Sequence, residues 1–306
     1  MYNLTLPENC SSNCFDGVIY STLKYFNLDY EIYNIKYLYT DYYDIQTNKI
    51  YRGNYPVDIL RYIYFIDISF KDRRNSDGLV KIVSDLLNKA SVGIVIDPYY
   101  CHWSPFYQKA HYTHVLLIVD IDFNNSKYVC FDVHYNSTGY IKVDFDVINN
   151  NYIRYFTFDL KDIIEIRPEV IIDSIKSLVD NFNYNIDSKK AELFNYITQT
   201  DRDVLFPEGI ETSKMLINLM WIAEDKKHSK ILFKYLENRT DKYDFVHIYE
   251  LLSASEQRFT FLKTILIKYA MTGVLKEESL KNTTNKIFDT DVLMINELKN
   301  ILGGKV

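Results

Sequence analysis

The sequence lacks long runs of apolar residues and long runs of basic residues. No stretch approaches the roughly 20 consecutive apolar residues that a membrane span needs, and the net charge is −6. These absences argue against a transmembrane protein and against nucleic acid as the main partner. The first residues also lack the basic and apolar regions of a signal peptide, so we expect a cytoplasmic protein.

Glycine and cysteine are also scarce, with 9 Gly and 4 Cys in 306 residues. No glycine-rich loop of the GxGxxG or Walker type is present, which argues against a nucleotide cofactor. Four cysteines are too few for a disulfide scaffold, and in the cytoplasm we expect them to be reduced. Hydrophobic residues make up 47% and charged residues 25%, which is typical of a globular protein with a sizeable core.

The hydrophobic pattern changes near residue 167 and predicts an α+β protein of two domains, residues 1–167 and 168–306. In the first domain, helical spacing follows Cys14 and covers 57–63 and 76–90. Short β-branched runs then predict an antiparallel sheet with strands at 92–97, 113–119, 127–132, 139–145 and 164–167. The second domain is predicted to be all-α, with amphipathic helices at about 170–184, 188–203, 210–238, 244–272 and 285–302. On one of these, we expect His228 to lie on a solvated face.

Cys14 stands at the start of the first predicted helix. Val18, Ile19 and Leu23 form the apolar face of that helix. The positive end of the helix dipole favours a thiolate at this position. Cys10 is an alternative, but its polar neighbours indicate a loop. Cys14 is therefore the candidate nucleophile, although a cysteine early in an apolar helix is also commonly a small core residue.

His114 and Asp132 complete a possible catalytic triad, because His114 lies at the start of one predicted strand and Asp132 at the end of the next. An imidazole moves the proton of a thiol nucleophile, and a carboxylate holds the imidazole in orientation. If residues 120–126 form the connecting loop, Val119 pairs with Lys127 and His114 lies directly opposite Asp132. A tight turn at Asn124-Asn125 would instead place Asp132 opposite Leu117.

Two alternatives concern the other histidines and cysteines. His111 competes with His114 as the base, but the segment before the strand resembles a loop. A zinc site is the second alternative, since six possible ligands fall close together: Cys101, His102, His111, His114, Cys130 and His134. Their spacing matches no familiar zinc motif, so we predict no metal.

Several segments together resemble papain-fold cysteine acyltransferases and amide synthetases of natural-product biosynthesis. These segments are Asn13-Cys14, 94–100, 103–107, 114–119 and Phe131-Asp132. The sequence is similar in type to the side-chain acyltransferase of butirosin biosynthesis, and similar in kind to the amide synthetase of closthioamide assembly. The likeness covers roughly residues 10–135. It implies a papain-like domain, with a helix packed on an antiparallel sheet, followed by a helical domain.

The resemblance also implies a reaction. Cys14 would be the nucleophile, His114 the base and acid, and Asp132 the orienting group. The acyl group would come from an acyl or peptidyl carrier protein, on its phosphopantetheine arm, and pass through Cys14 to a small-molecule amine. The protein itself would need no cofactor. A cysteine peptidase or thioester hydrolase with the same triad is one alternative, and a non-catalytic scaffold that binds a carrier or another partner is the other.

The sequence departs from the family pattern at two positions. The family commonly has a glutamine as oxyanion donor about six residues before the nucleophile, where this chain has Glu8, with Asn9 beside it. An ionised Glu cannot donate a hydrogen bond, so Asn9 is the candidate donor. Val133 follows Asp132, where the family often has proline. The aromatic residues Tyr99, Tyr100 and Trp103 are candidates for an acyl pocket, or for ordinary loop packing.

Overall fold

A computed structural model describes most of the chain: residues 4–7, 13–39, 41–44, 49–51, 55–73, 78–87, 91–132, 139–160, 166–180, 186–207, 209–210 and 213–303. The chain forms two compact units. The first comprises Met1–Tyr33 and Pro56–Ile166, and the second comprises Asn34–Tyr55 and Arg167–Val306. Residues 34–55, which the sequence analysis assigned to the first domain, therefore group with the second unit.

Helices and strands alternate irregularly through the first half of the chain. In order they are α1 (Cys14–Tyr25), a 3-10 segment (Tyr30–Tyr39), β1 (Asp41–Asp44), β2 (Lys49–Tyr51), α2 (Tyr55–Tyr64), β3 (Ile66–Asp72), α3 (Leu79–Leu87), β4 (Val92–Ile96), β5 (His114–Asp122), β6 (Lys127–Phe131), β7 (Tyr140–Asp144), α4 (Phe145–Asn151) and β8 (Tyr152–Leu160). Short 3-10 turns occupy Pro98–Tyr100 and Phe123–Asn125.

The first unit is built on an antiparallel sheet with the strand order β3-β8-β4-β5-β6-β7. This confirms the predicted α+β class with an antiparallel sheet. The sequence analysis missed β3, β8 and α4. It also predicted a strand at 164–167, of which Ile166 and Arg167 are not in a strand and the other two residues lie outside the described part.

Helix α1 packs against β5 over one face of the sheet. Phe15 of α1 meets the buried ring of Phe156 on β8, with ring centroids 5.8 Å apart. Phe156 pairs with Gly93 of β4, and a Cβ atom at Gly93 would overlap its ring. The missing side chain at Gly93 thus makes room for the aromatic ring on which α1 rests.

The opposite face of the sheet forms a separate apolar core. Leu116 and Ile118 of β5 alternate with the residues that face α1, and they pack with Leu79 and Val83 of α3. The first six residues of β5 are all buried, since the strand is covered on both sides. This explains why β5 is a nearly continuous apolar run rather than an alternating one.

The second unit is mainly helical, with α5 (Pro168–Asp180), α6 (Ile186–Gln199), α7 (Arg202–Leu205), α8 (Lys214–Arg239), α9 (Val246–Thr272) and α10 (Glu277–Gly303). In the described part of residues 168–306, which were predicted to be all-α, every element is a helix, and the paired strands of this unit, β1 and β2, come from residues 34–55. None of the described helices combines the length and the apolar character that crossing a membrane requires.

Polar side chains connect the long helices inside the second unit. Lys226 of α8 forms an ion pair of 3.0 Å with the buried Asp291 of α10, and Ser255 of α9 donates to the same carboxylate. His228 was expected on a solvated face, but it is buried and stacks on Tyr37, with ring centroids 5.0 Å apart. The expectation was wrong because residues 34–55, distant in sequence, belong to this unit.

We expect Gly93→Ala to destabilise the protein, because the added Cβ displaces the buried Phe156 ring. Overpacking of this kind costs about 1–3 kcal/mol in the free energy of unfolding. Gly78→Ala is the matched control, since a Cβ there meets only the end of Ile82 at 3.9 Å. Urea unfolding of both variants measures the effect. Equal stability of the two variants would contradict the role given to Gly93.

Candidate active site

Hydrogen bonds among Asn13, Asp16 and Tyr33 stabilise the N-terminus of α1. Asn13 is the N-cap, and its side-chain oxygen accepts from the backbone N–H of Asp16 at 2.9 Å. The Asn13 amide in turn donates to the Asp16 carboxylate at 2.7 Å, and the Tyr33 hydroxyl donates to the same carboxylate at 3.1 Å. Cys14 is therefore the first residue of a well-capped helix, and its side chain is partly exposed.

The β5–β6 hairpin does not have the predicted register. Strand β5 continues to Asp122, which pairs with Lys127. The loop is thus shorter than the 120–126 segment that the sequence suggested, and the predicted pairing of Val119 with Lys127 was wrong. Followed without interruption, the observed pairing would place Asp132 level with Leu117, on the opposite face of the sheet from His114.

A β-bulge at Val119 places Asp132 on the same face of the sheet as His114. The register shifts between the pairs Ile118–Cys130 and Asp120–Val129, which leaves Val119 as the extra residue. Beyond the bulge, Asp132 lies level with Leu116, so it is a diagonal neighbour of His114 on the same face. A diagonal pair is within reach of a long side chain such as histidine. The predicted pair therefore forms, but by a different path from the one expected.

The His114 imidazole and the Asp132 carboxylate are in direct contact and fully buried. His114 Nε2 lies 2.7 Å from Asp132 Oδ2, and neither side chain is exposed. The indole Nε1–H of Trp103 donates to the same carboxylate oxygen at 2.8 Å. The backbone N–H of Asp132 donates to the carbonyl of Gly139 at 2.6 Å, which continues the pairing of β6 with β7. Two side chains thus hold the carboxylate, and a backbone hydrogen bond holds the residue that carries it.

The imidazole of His114 carries a raised pKa. Burial by itself lowers it, but hydrogen bonds with the side chains of Asp132 and Cys14 outweigh burial and raise the pKa from 6.5 to about 9. His114 is thus an imidazolium at neutral pH. The Nε2 atom of His114 contacts Asp132, so Nδ1 is the ring nitrogen that can exchange a proton with Cys14. An imidazolium beside a cysteine at a helix start is the arrangement that activates thiol nucleophiles.

The other described cysteines have a different character. Cys101 and Cys130 are both buried. Burial raises the pKa of Cys101 to about 12, with Asp132 and Asp97 adding to the shift, and burial raises the pKa of Cys130 well above its usual value. Both thiols stay protonated and serve as core residues. Cys10, the alternative nucleophile, lies outside the described residues, as does Asn9, the predicted oxyanion donor.

His111 belongs to a second carboxylate pair rather than to the triad. Its Nδ1 lies 2.6 Å from Asp97 Oδ2, and its ring stacks on Tyr99 with centroids 4.3 Å apart. Burial alone would raise the pKa of Asp97, but hydrogen bonds from His111 and from the backbone N–H of Tyr99 lower it. Tyr100 packs edge-on against Tyr99 and is 43% exposed. The aromatic candidates thus separate into a Tyr99–His111 stack and a Trp103 bound to Asp132.

The structure adds a role for Trp103 that the sequence analysis did not assign. Trp103 was a candidate for lining a pocket, but its N–H orients Asp132. Trp103 lies in a loop, two residues after the buried Cys101, and no sequence pattern at this position predicts a contact with Asp132. Within the described residues, the His, Cys, Asp and Glu side chains form no group of three or more placed to hold a metal ion. His134, one of the six candidate zinc ligands, lies outside them.

Comparison of the sequence with models of known protein families, and with curated proteins, finds no match.

The raised pKa of His114 links the site to stability. The pKa of His114 is about 9 in the folded protein and 6.5 in the unfolded chain. The stabilisation that the protonated His114 gives to the fold is therefore fully present below pH 6.5 and is lost as pH rises through about 9. We expect the difference in unfolding free energy between wild type and His114→Gln to shrink by about 3 kcal/mol over that range. Urea unfolding at a series of pH values measures it. In an Asp132→Asn background most of this pH dependence should vanish. A full dependence there would exclude Asp132 as its main source.

Trp103→Phe tests the contact with Asp132. The phenyl ring keeps much of the apolar contact but cannot donate, so more of the carboxylate charge acts on the imidazolium and the pKa of His114 should rise further. NMR titration of the His114 ring measures this, and loss of packing alone would not produce it. We also expect a loss of about 1–3 kcal/mol in unfolding free energy. Tyr100→Phe, a change in the same loop, is the control. An unchanged His114 titration in Trp103→Phe would contradict the assignment.

Proposed function

We propose that the protein is a cysteine-dependent acyltransferase of papain-like type that forms amides. One observation carries the proposal: the buried His114–Asp132 pair, 2.7 Å between Nε2 and Oδ2, whose imidazole has a pKa raised by Asp132 and also by Cys14. The capped start of α1 at Cys14 supports it, because the backbone N–H groups of a helix N-terminus stabilise negative charge that develops beside them. The contact from Trp103 supports the orienting role of Asp132.

In the proposed first half-reaction, the Cys14 thiolate attacks the carbonyl carbon of an acyl thioester. The C–S bond to the donor breaks, and the imidazolium of His114 gives its proton to the departing thiolate. The products are an acyl-enzyme on Cys14 and a free donor thiol. Exchange of one thioester for another is nearly isoenergetic, so a donor already activated as a thioester, as on the arm of a carrier protein, suits this step.

In the proposed second half-reaction, an amine attacks the acyl-enzyme. The now neutral His114 takes a proton from the amine as the C–N bond forms, and the Cys14 thiolate leaves. Aminolysis of a thioester runs downhill because an amide is more stable. Asp132 keeps the imidazole in one orientation through both steps and stabilises its charged form. Water in place of the amine would make the same site a thioester hydrolase or a peptidase.

Intact-mass spectrometry with an acyl N-acetylcysteamine thioester tests the nucleophile. We expect wild type to gain the mass of one acyl group in place of one hydrogen, and Cys14→Ala to show no adduct, with turnover lower by about 10³-fold or more. Cys101→Ala, which removes a buried neutral thiol, should keep the adduct. Circular dichroism checks that both variants fold. An adduct retained in Cys14→Ala would exclude Cys14 as the nucleophile.

The same acyl-enzyme distinguishes transfer from hydrolysis. We expect added amines to speed its decay and to appear as amide products, to an extent that depends on which amine is offered. Decay at one rate whatever amine is present would reject the transferase and leave a hydrolase. Replacing the small thioester by an acylated carrier protein tests the donor, since a true carrier substrate should acylate Cys14 faster than the small thioester does.

A further inference from the structure

A groove of about 530 Å³ lies between α9 and α10 in the second unit. Residues that line it include Gln257, Arg258 and Phe261 of α9, and Ser279, Asn282 and Lys286 of α10. Its size falls in the range of small-ligand sites in proteins. The groove belongs to two helices of the same unit and takes no part in the function proposed for Cys14.

The groove carries positive charge that the nearby carboxylates do not neutralise. Among the described residues that line it, none is Asp or Glu. Two of the acidic neighbours are paired with other cations: Glu256 with Lys230 and Asp289 with Lys190, each at 2.6 Å. Within the described part of the chain, Arg258 and Lys286 have no carboxylate partner. Both cations line the same groove, in a chain whose net charge is −6.

One of the two cations is already held in place. Arg258 Nη1 donates to the backbone carbonyl of Lys286 at 2.7 Å. This bond uses one of the five N–H donors of the guanidinium and leaves others for a ligand. A planar guanidinium matches two oxygens of one anion, and a neighbouring ammonium adds a second charge. The amides of Gln257 and Asn282 and the hydroxyl of Ser279 offer further hydrogen bonds.

An apolar surface adjoins these cations. Phe261 lies one helical turn from Arg258 on α9 and is 54% exposed, although it is a large aromatic side chain. The groove therefore combines two positive charges with an aromatic face. A phosphate monoester carries nearly two negative charges near neutral pH, which two cations balance.

We propose that this groove binds a small phosphate monoester, with the phosphate between Arg258 and Lys286 and the organic part against Phe261. Calorimetric titration of the full-length chain tests it with three probes at fixed ionic strength: phenyl phosphate, inorganic phosphate and phenol. We expect phenyl phosphate to bind most tightly, inorganic phosphate more weakly, and phenol not measurably.

Two lysine variants that each remove one positive charge test whether phenyl phosphate binds in the groove. Lys286→Gln should weaken binding of phenyl phosphate by about tenfold, the effect of losing one charged hydrogen bond. Lys281→Gln, which removes an exposed lysine of α10 outside the groove, should change it by less than about twofold. Phe261→Ala should reduce the affinity for phenyl phosphate to that for inorganic phosphate.

Each result bears on the proposal. Saturable binding that Lys286→Gln weakens and Lys281→Gln preserves supports it. The absence of saturable binding by both phosphates overturns it, and so does equal weakening by the two lysine variants, since that outcome indicates only general charge attraction. Equal affinity of inorganic and phenyl phosphate overturns the role given to Phe261. Both lysines are exposed, so we expect both variants to fold as the wild type does, and circular dichroism checks this.

Discussion

The hydrogen bond between His114 and Asp132 constrains the architecture of the first unit, because both groups are ionisable and fully buried. A buried carboxylate is costly unless it is paired and its oxygens accept hydrogen bonds. The chain meets this requirement from separate elements: β5 provides the imidazole, the loop after β4 provides Trp103, and β7 continues the pairing that holds Asp132 in place. The arrangement exists only when the sheet is assembled. The proposed function and the folding of this unit therefore depend on the same contact.

Much of the first unit could be predicted from local patterns. The helix that begins at Cys14 has an apolar face and a good N-cap residue in Asn13, and β4, β5 and β6 are short β-branched runs. These signals lie within a few residues of each other, so sequence alone reveals them. The missed strand β3 alternates cleanly, with Ile66, Ile68 and Phe70 at every second position, so the prediction overlooked a signal that the sequence carries. In β8, Tyr155 lies on the face opposite Phe156 and Phe158, and this obscures the period of two.

What could not be predicted depends on contacts between distant residues. No local signal shows that residues 34–55 group with the second unit, and for this reason His228 was assigned to solvent although Tyr37 covers it. The partner of Trp103 is likewise 29 positions away. The hairpin is a third case. The predicted loop was longer than the observed one, and the bulge at Val119 was not predicted. These two errors had opposite effects on the register, so His114 and Asp132 still lie on the same face of the sheet.

The bulge at Val119 also decides which changes of this hairpin keep the pair together. The side of the sheet on which Asp132 lies depends on the register of β5 with β6, and the bulge sets that register beyond Val119. Deletion of Val119 would make the pairing regular with Ile118 still level with Cys130, so Asp132 would stay on the face of His114. A hairpin that kept all its residues but paired without the bulge would place Asp132 level with Leu117, on the other face. The pair therefore tolerates the loss of Val119 itself, but not a slip of the two strands that removes the register shift.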